Sequence, residues 1–286
     1  MAINFQQVNF SYGAGTSLEQ PILFDITANF PTGQVTAVVG QTGSGKSTLI
    51  QHINGLLLPT EGQVTVADHH ITANTKEKEL MCIREKVGMV FQFPENQLFA
   101  NTVLEDVMYG PINFGYSRSD AKNAAEIALK RLNVSETLWE KSPFELSGGQ
   151  MRRIAIAGAL ASNPDIVVLD EPAAGLDPRG QQELLNLVIE LKSLNKTVIL
   201  ISHQMDHVAQ IADQVIVMHE GKVAAQEAPE QLFNRDIQWF TDMKLDLPKA
   251  GQFAEKLRQQ DWQFEQRPLT IKALTDLINS RGTTHG

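Results

Sequence analysis

Apolar positions along the chain follow two periods, and the alternation between them predicts the architecture. In INFQQVNF, Ile3, Phe5, Val8 and Phe10 recur at roughly every second position, which predicts a strand. ILFDITANF predicts a second strand, closed by the turn signal Pro31-Thr32-Gly33. QVTAVVG is a short β-branched run stopping at Gly40, and a helix is expected over 46–54 with Gly55 as its stop. Short strands follow around EGQVTV and HHIT, where His69 and His70 are expected in an exposed strand or turn. A charged helix over 76–86 and the strand VGMVF at 87–91 come next.

From about 93 to 145 the strand period disappears. Thr102 and Glu105 form a capping-box pattern, in which hydroxyl and carboxylate satisfy each other's orphan backbone donors. Ala121, Ala124, Ala125, Ala128, Leu129 and Leu132 predict an amphipathic helix over 118–133. From 146 the alternation resumes: a helix to about 161, strand 165–170, helix 178–193, strand 197–202, helix 204–211 and strand 214–220, after which Glu220-Gly221 turns the chain into KVAAQ. Continuous apolar strands separated by helices predict a parallel sheet covered on both faces. Beyond Pro229, LDLP at 245–248 precedes two helical patterns, about 248–260 and 270–280. The second aligns Ile271, Leu274, Leu277 and Ile278 on one face. This tail of roughly 55 residues is too short for a large core of its own. It is expected to dock on a partner or on the main domain.

Composition narrows the function classes. The 286 residues carry a net charge of −9, which argues against broad, charge-driven nucleic-acid binding. The single cysteine, Cys82, cannot form an intrachain disulfide and is expected on a helix face. MAINFQQVNF has no basic and apolar leader pattern, and no apolar run approaches the ~18 residues of a spanning helix. A soluble, cytosolic chain is expected, with any membrane role exercised through a partner.

Gly40-Gln41-Thr42-Gly43-Ser44-Gly45-Lys46-Ser47 matches G-x-x-x-x-G-K-[ST] at every fixed position, between a strand and a helix. Glycines let successive N–H groups curl around phosphate oxygens, and the helix that follows aims its positive end at the same anion. Lys46 is expected to reach the β- and γ-phosphates and Ser47 to offer its hydroxyl to Mg²⁺. Asp170, at the tip of IVVLD, is expected to hold Mg²⁺ as well. Glu171 is expected to orient and deprotonate an attacking water. Leu146-Ser147-Gly148-Gly149-Gln150 opens a helix 24 positions before Glu171 (171 − 147, counted from the serine).

With that pentapeptide the sequence resembles the ATP-binding cassette ATPases over residues 1 to about 230. The resemblance implies an α/β phosphate-loop NTPase fold with a parallel-sheet core, an antiparallel β subdomain and a helical insertion at about 93–160. These make up a nucleotide-binding domain over 1–230; the LDLP segment and the helices after it resemble the C-terminal domain of the energy-coupling-factor branch of the family and imply a small helical dimerisation domain over 231–286. The cofactors it implies are ATP and Mg²⁺. Nucleotide is to be held by Gly40, Thr42, Gly43, Ser44, Gly45, Lys46, Ser47 and Thr48, with Tyr12 stacked on adenine. Gln92 is to sense Mg²⁺ and the attacking water, and His203 is to contact the γ-phosphate. Ser147, Gly148, Gly149 and Gln150 are to face the nucleotide of a second subunit, and Asp177 is to communicate across that dimer.

Phe91-Gln-Phe-Pro-Glu-Asn-Gln-Leu-Phe99, the TyrGlyPro that follows, and Gly158 where most other importers carry arginine are more specific. They resemble the ATPases of energy-coupling-factor transporters, importers of vitamins and transition-metal ions, and look closer to the second of two paralogous subunits. This implies a paralogous cassette in a heterodimer, an integral membrane energy-coupling subunit, a separate membrane substrate-binding subunit, and a peripheral location on the cytoplasmic face of the cell membrane. Nucleic acid is not among the implied partners. A soluble cassette acting on DNA or ribosomes, or the ATPase of another importer class, is the alternative. Only 55 positions separate Gln92 from Ser147 (147 − 92), leaving no room for the long coiled coil of the chromosome-maintenance relatives. The loop Phe93–Phe99 and the helix from Thr102 are expected either to line a groove for a membrane partner or to plug the insertion onto the sheet. Because Lys46 is the one charged side chain of the loop, Lys46→Ala should weaken ATP binding by one to two orders of magnitude, the worth of a charged hydrogen bond of roughly 1.5–3 kcal/mol. A wild-type ATP affinity by equilibrium titration would remove the loop from that role.

Overall fold

The computed structural model describes residues 2–260, 262 and 264–282. Its strands are β1 (Ile3–Tyr12), β2 (Gln20–Phe30), β3 (Val35–Val39), β4 (Glu61–Val66), β5 (His69–Ile71), β6 (Val87–Val90), β7 (Ile166–Asp170), β8 (Thr197–Ile201), β9 (Gln214–His219) and β10 (Lys222–Glu227). The helices are α1 (Lys46–Gln51), α2 (Glu77–Lys86), α3 (Val103–Asn113), α4 (Arg118–Arg131), α5 (Gly148–Leu160), α6 (Pro178–Ser193), α7 (Met205–Ile211), α8 (Pro229–Leu232), α9 (Ile237–Met243), α10 (Lys249–Arg258) and α11 (Ile271–Gly282).

An antiparallel sheet in the order β2-β1-β4-β5 lies beside a six-stranded sheet in the order β10-β9-β3-β8-β7-β6. The larger sheet is parallel except at its edge, where β9 and β10 form an antiparallel hairpin through the Glu220-Gly221 turn. Its strands bury both faces, as their continuous apolar runs predict. Val167, Leu169, Val198 and Leu200 face the helical insertion and α6. Ile166, Val168, Ile199 and Ile201 face α1 and the antiparallel sheet. The three-residue steps from Phe5 to Val8 and from Leu23 to Ile26 break strict alternation, yet all four side chains are buried. Register shifts at these steps, with Gln7 at φ 49° and Asp25 at φ 50°, take up the extra residue and keep both flanks on the core side.

The segment 93–145 contains only helical elements. Thr102 caps α3, its hydroxyl accepting from Glu105 N at 3.2 Å. Among the described residues the full reciprocal capping box forms at Ser147 and Gln150 instead. Packing runs continuously through residue 230. Leu232, Phe233, Phe240 and Leu247 are buried against Ala37, Val39, Val215 and Val217 on the back of the parallel sheet. Buried Arg267 ties the tail to this segment, donating to the carbonyls of Phe233 and Arg235 and to Glu255. Beyond it, Ala250, Ala254 and Leu274 form a small separate cluster, while Ile271 and Leu277 remain exposed on α11.

His52, just past α1, is wholly buried. Its Nδ1–H donates to Thr48 O at 2.7 Å, leaving Nε2 buried without a partner. Burial pulls its pKa down to about 4, only partly opposed by the Thr48 carbonyl. The unfolded chain therefore takes up a proton near the ordinary histidine value, while the folded chain does not until about pH 4. His52 should thus cost stability progressively as pH falls through this window, on the order of 3 kcal/mol at its lower end. Urea unfolding at pH 7 and pH 4.5 should show this loss in the wild type and less of it in His52→Gln; equal acid sensitivity would exclude the histidine as a source.

Candidate ATP site

The site is assembled where the parallel strands end. β3 pairs with β8 so that Val38 lies opposite Ile201, and Ile201 lies opposite Asp170 of β7. Gly40, Asp170 and Ser202 therefore emerge side by side at one edge. Gly40 adopts φ 148° with its Cα so close to the Met218 carbonyl that a Cβ would sit 2.2 Å from that oxygen. Only glycine lets the loop lie this near the sheet. The loop is also braced from outside the motif: Gly221 N donates to Ser44 O at 3.1 Å, and Phe24 N donates to Gly221 O at 2.9 Å. The turn that ends β9 thus fixes the phosphate loop to both sheets, a role no loop motif announces.

Lys46 opens α1, and its Nζ donates to Gly40 O at 2.8 Å and to Gln41 O at 2.9 Å. An ammonium has three donors, so one remains for an anion. Burial lowers the Lys46 pKa from its ordinary value, against the pull of the Glu171 and Asp170 carboxylates. Burial raises that of Asp170, opposed by a hydrogen bond from the Ser47 hydroxyl, reinforced by the Glu171 charge and opposed by that of Lys46. Ser47 and Asp170 present hard oxygen donors to one point, a donor set that fits Mg²⁺.

Glu171 occupies the left-handed region at φ 50°, and its N–H donates to Ile201 O at 3.1 Å. Its Oε2 accepts from Nδ1 of His203 at 2.7 Å. Glu171, given its task by its place after β7, and His203, given its task by the resemblance, are thus a direct pair. The imidazole is largely exposed, while the carboxylate lies mostly under cover. Gln92 is exposed just beyond β6, next to Phe93 at φ 56°. Tyr12 ends β1, half-exposed and edge-on to Phe10 at 4.9 Å, which is itself edge-on to His52 at 4.9 Å.

Ser147, Gly148, Gly149 and Asp177 are not gathered to this loop. All four are exposed. Gln150 is partly covered by its bond to Ser147 N at 3.0 Å, and Asp177 caps α6 through Gly180 N at 2.7 Å. The loop after Gln92 divides in two. Leu98 is buried in the core, and Glu95 pairs with buried Arg152 at 3.2 Å. Phe93 and Phe99 stay exposed, Phe99 edge-on to exposed Tyr109 at 4.7 Å. No motif marks Arg152, and its place beside the apolar run IAIAGALA is the one sequence signal of its burial.

The sheet, the braced phosphate loop and the carboxylates at the strand tips define a phosphate-loop ATPase of the ABC transporter family, to which this chain belongs. The ABC transporter family model matches residues 23–174. Energy-coupling factor transporter ATP-binding protein EcfA2 from Leuconostoc mesenteroides is 66% identical over 279 residues, covering 98% of each chain. The protein of that name from Enterococcus faecalis is 50% identical over 97% of this chain and 96% of its own. Among solved structures, cbiO1 from Clostridium perfringens, part of the ABC transporter complex cbiONQ, superimposes with TM-score 0.73 at 36% identity, covering 89% of this chain and 98% of that one. The ATP-binding cassette MJ0796, a dimer bound to ADP and Pi, gives TM-score 0.72 at 29% identity over 79% of this chain and 98% of that one. The chain is an ATPase subunit of an energy-coupling factor transporter. Glu171→Gln should retain ATP binding and lose turnover by ~10²–10⁴-fold, the usual worth of a general base; unchanged turnover in the assembled complex would exclude that role.

Proposed function

We propose that the chain works as one half of a two-cassette motor whose ATP sites are completed between subunits. The observation that carries this reading is the separation within the chain: Lys46, Ser47, Asp170, Glu171 and His203 converge on one edge, while Ser147, Gly148, Gly149 and Asp177 stand exposed elsewhere. A second cassette supplies the missing loop. Lys46 and the loop amides hold the phosphates, and Tyr12, held by Phe10, offers its ring to the adenine. Ser47 and Asp170 would hold Mg²⁺, which supplies charge neutralisation at the phosphates when bound. Glu171 accepts the proton of the attacking water at its carboxylate, and His203 keeps that carboxylate oriented through Nδ1–H. Gln92 reports the state of the site to the loop that follows it. Closure of the two cassettes is then part of the chemistry, so the chain alone should be a poor ATPase.

The second cassette on this reading is a paralogue, held between cycles by the C-terminal helices, whose exposed Phe253, Ile271 and Leu277 give an apolar face. The cargo of vitamins or other micronutrients passes through separate membrane subunits, on whose cytoplasmic side this chain sits. No helix among the described residues is long and apolar enough to cross a membrane. Exposed Phe93, Phe99, Tyr109 and Ile112 surround the loop after Gln92 and form the surface for the membrane partner. Leu98 and Glu95 belong to the fold beneath it. Asp106 accepts from Phe99 N and Ala100 N at 2.8 Å each, so the loop keeps its shape when the ring is changed. Phe99→Asp with Tyr109→Ser should therefore leave ATP affinity intact and release the membrane subunit, with a loss of roughly 30-fold or more in association. Co-purification at wild-type yield would place the membrane contact elsewhere.

A further inference from the structure

Arg152 is a cation inside the protein, 6% exposed, on a helix that also buries Ile154, Ala155, Ile156 and Ala157. A buried guanidinium costs several kcal/mol unless its donors are met, so its partners carry information. Nη2 donates to Glu95 Oε1 at 3.2 Å and to Oε2 at 3.3 Å, and Nε donates to Oε2 at 3.3 Å. Nη1 donates to the carbonyl of Ala174. Each contact lies in a different segment of the site. Glu95 is three residues after Gln92, and Ala174 is three after Glu171 and three before Asp177. Arg152 itself is five after Ser147.

One side chain therefore ties the helix behind the signature loop to both loops that carry the hydrolytic residues. Those two loops hold Phe93 at φ 56° and Glu171 at φ 50°, left-handed conformations that are unfavourable for non-glycine residues and persist only where the surroundings enforce them. Beside the tie, α5 and α6 flank a cavity of about 500 Å³ lined by Gly149, Arg153, Leu176 and Glu183 among others, with Arg153 Nη2 donating to Glu183 Oε2 at 2.7 Å between the two helices.

We propose that Arg152 is a positioning residue for ATP turnover. It holds the Gln92 loop and the Glu171–Asp177 loop in register with the helix that presents Ser147, so that all three reach the closed geometry together. The phosphate loop lies outside this clamp, so nucleotide affinity does not depend on it. The inference rests on the hydrolytic roles proposed above for Gln92 and Glu171.

The test is steady-state ATPase kinetics of the chain in its purified transporter complex, with ATP affinity and thermal midpoint measured alongside. Arg152→Met combined with Glu95→Leu removes the pair without stranding a buried charge. The expected result is a kcat lowered by about tenfold or more with KM and ATP affinity within about twofold of wild type. Arg152→Lys, which keeps a charge for Glu95 but loses the fork that reaches Ala174, should recover part of the rate. Wild-type kcat in the double variant overturns the proposal. If the double variant fails to fold, Arg152→Lys and Glu95→Gln decide, and wild-type kcat in both overturns it equally. Glu171→Gln is measured in the same complex. Wild-type turnover there refutes the hydrolytic reading itself, whereas loss there with wild-type kcat in the Arg152 variants refutes only this inference.

Discussion

Parallel pairing of β3 with β8, and of β8 with β7, is the constraint on which the site depends. Its register sets Val38 and Asp170 opposite the same residue, Ile201. Gly40, Glu171 and His203 follow one or two residues later, at the sheet's C-terminal edge. A one-residue slip would turn every side chain of a strand to the other face, and the apolar runs of β7 and β8 tolerate that poorly because different partners wait on each side. The packing of two faces thereby fixes the chemistry at one edge.

At that edge charge is arranged around burial. Lys46 is covered enough for desolvation to disfavour its ammonium, and Asp170 enough for desolvation to disfavour its carboxylate. Each is offset in part by the other. A cation with one donor to spare and a carboxylate already touching the Ser47 hydroxyl thus sit partly desolvated with hydrogen-bonding capacity left over. Glu171 takes part in this exchange, favouring the Lys46 ammonium and disfavouring a second charge at Asp170, while its own Oε2 accepts from His203.

The outer elements serve the edge indirectly. The β9–β10 turn braces the phosphate loop through Gly221, and the tail beyond residue 230 covers the back of β3 and β9. The helical insertion meets the same edge through Glu95, Arg152 and Ala174. These hydrogen bonds join the insertion to the loops of Gln92 and Glu171, alongside its apolar packing on the sheet.

Local patterns in the sequence determined the element order, the phosphate loop, the carboxylates at the tip of β7 and the helical character of 93–145. Each of these is written within a few residues, in periodicity, turn chemistry or a fixed spacing. Tertiary structure decided what depends on partners far apart in the chain. The bulges at Gln7 and Asp25, the antiparallel edge of β10, and the docking of Phe233 and Phe240 on the back of the sheet are settled by which surfaces meet. The same holds within the loop after Gln92. Leu98 and Phe99 are equally apolar in the sequence, yet one is buried and the other exposed, and Glu95 faces a guanidinium 57 residues away. Hydrophobicity states what a residue would gain by burial, and only the folded chain supplies the neighbour that buries it.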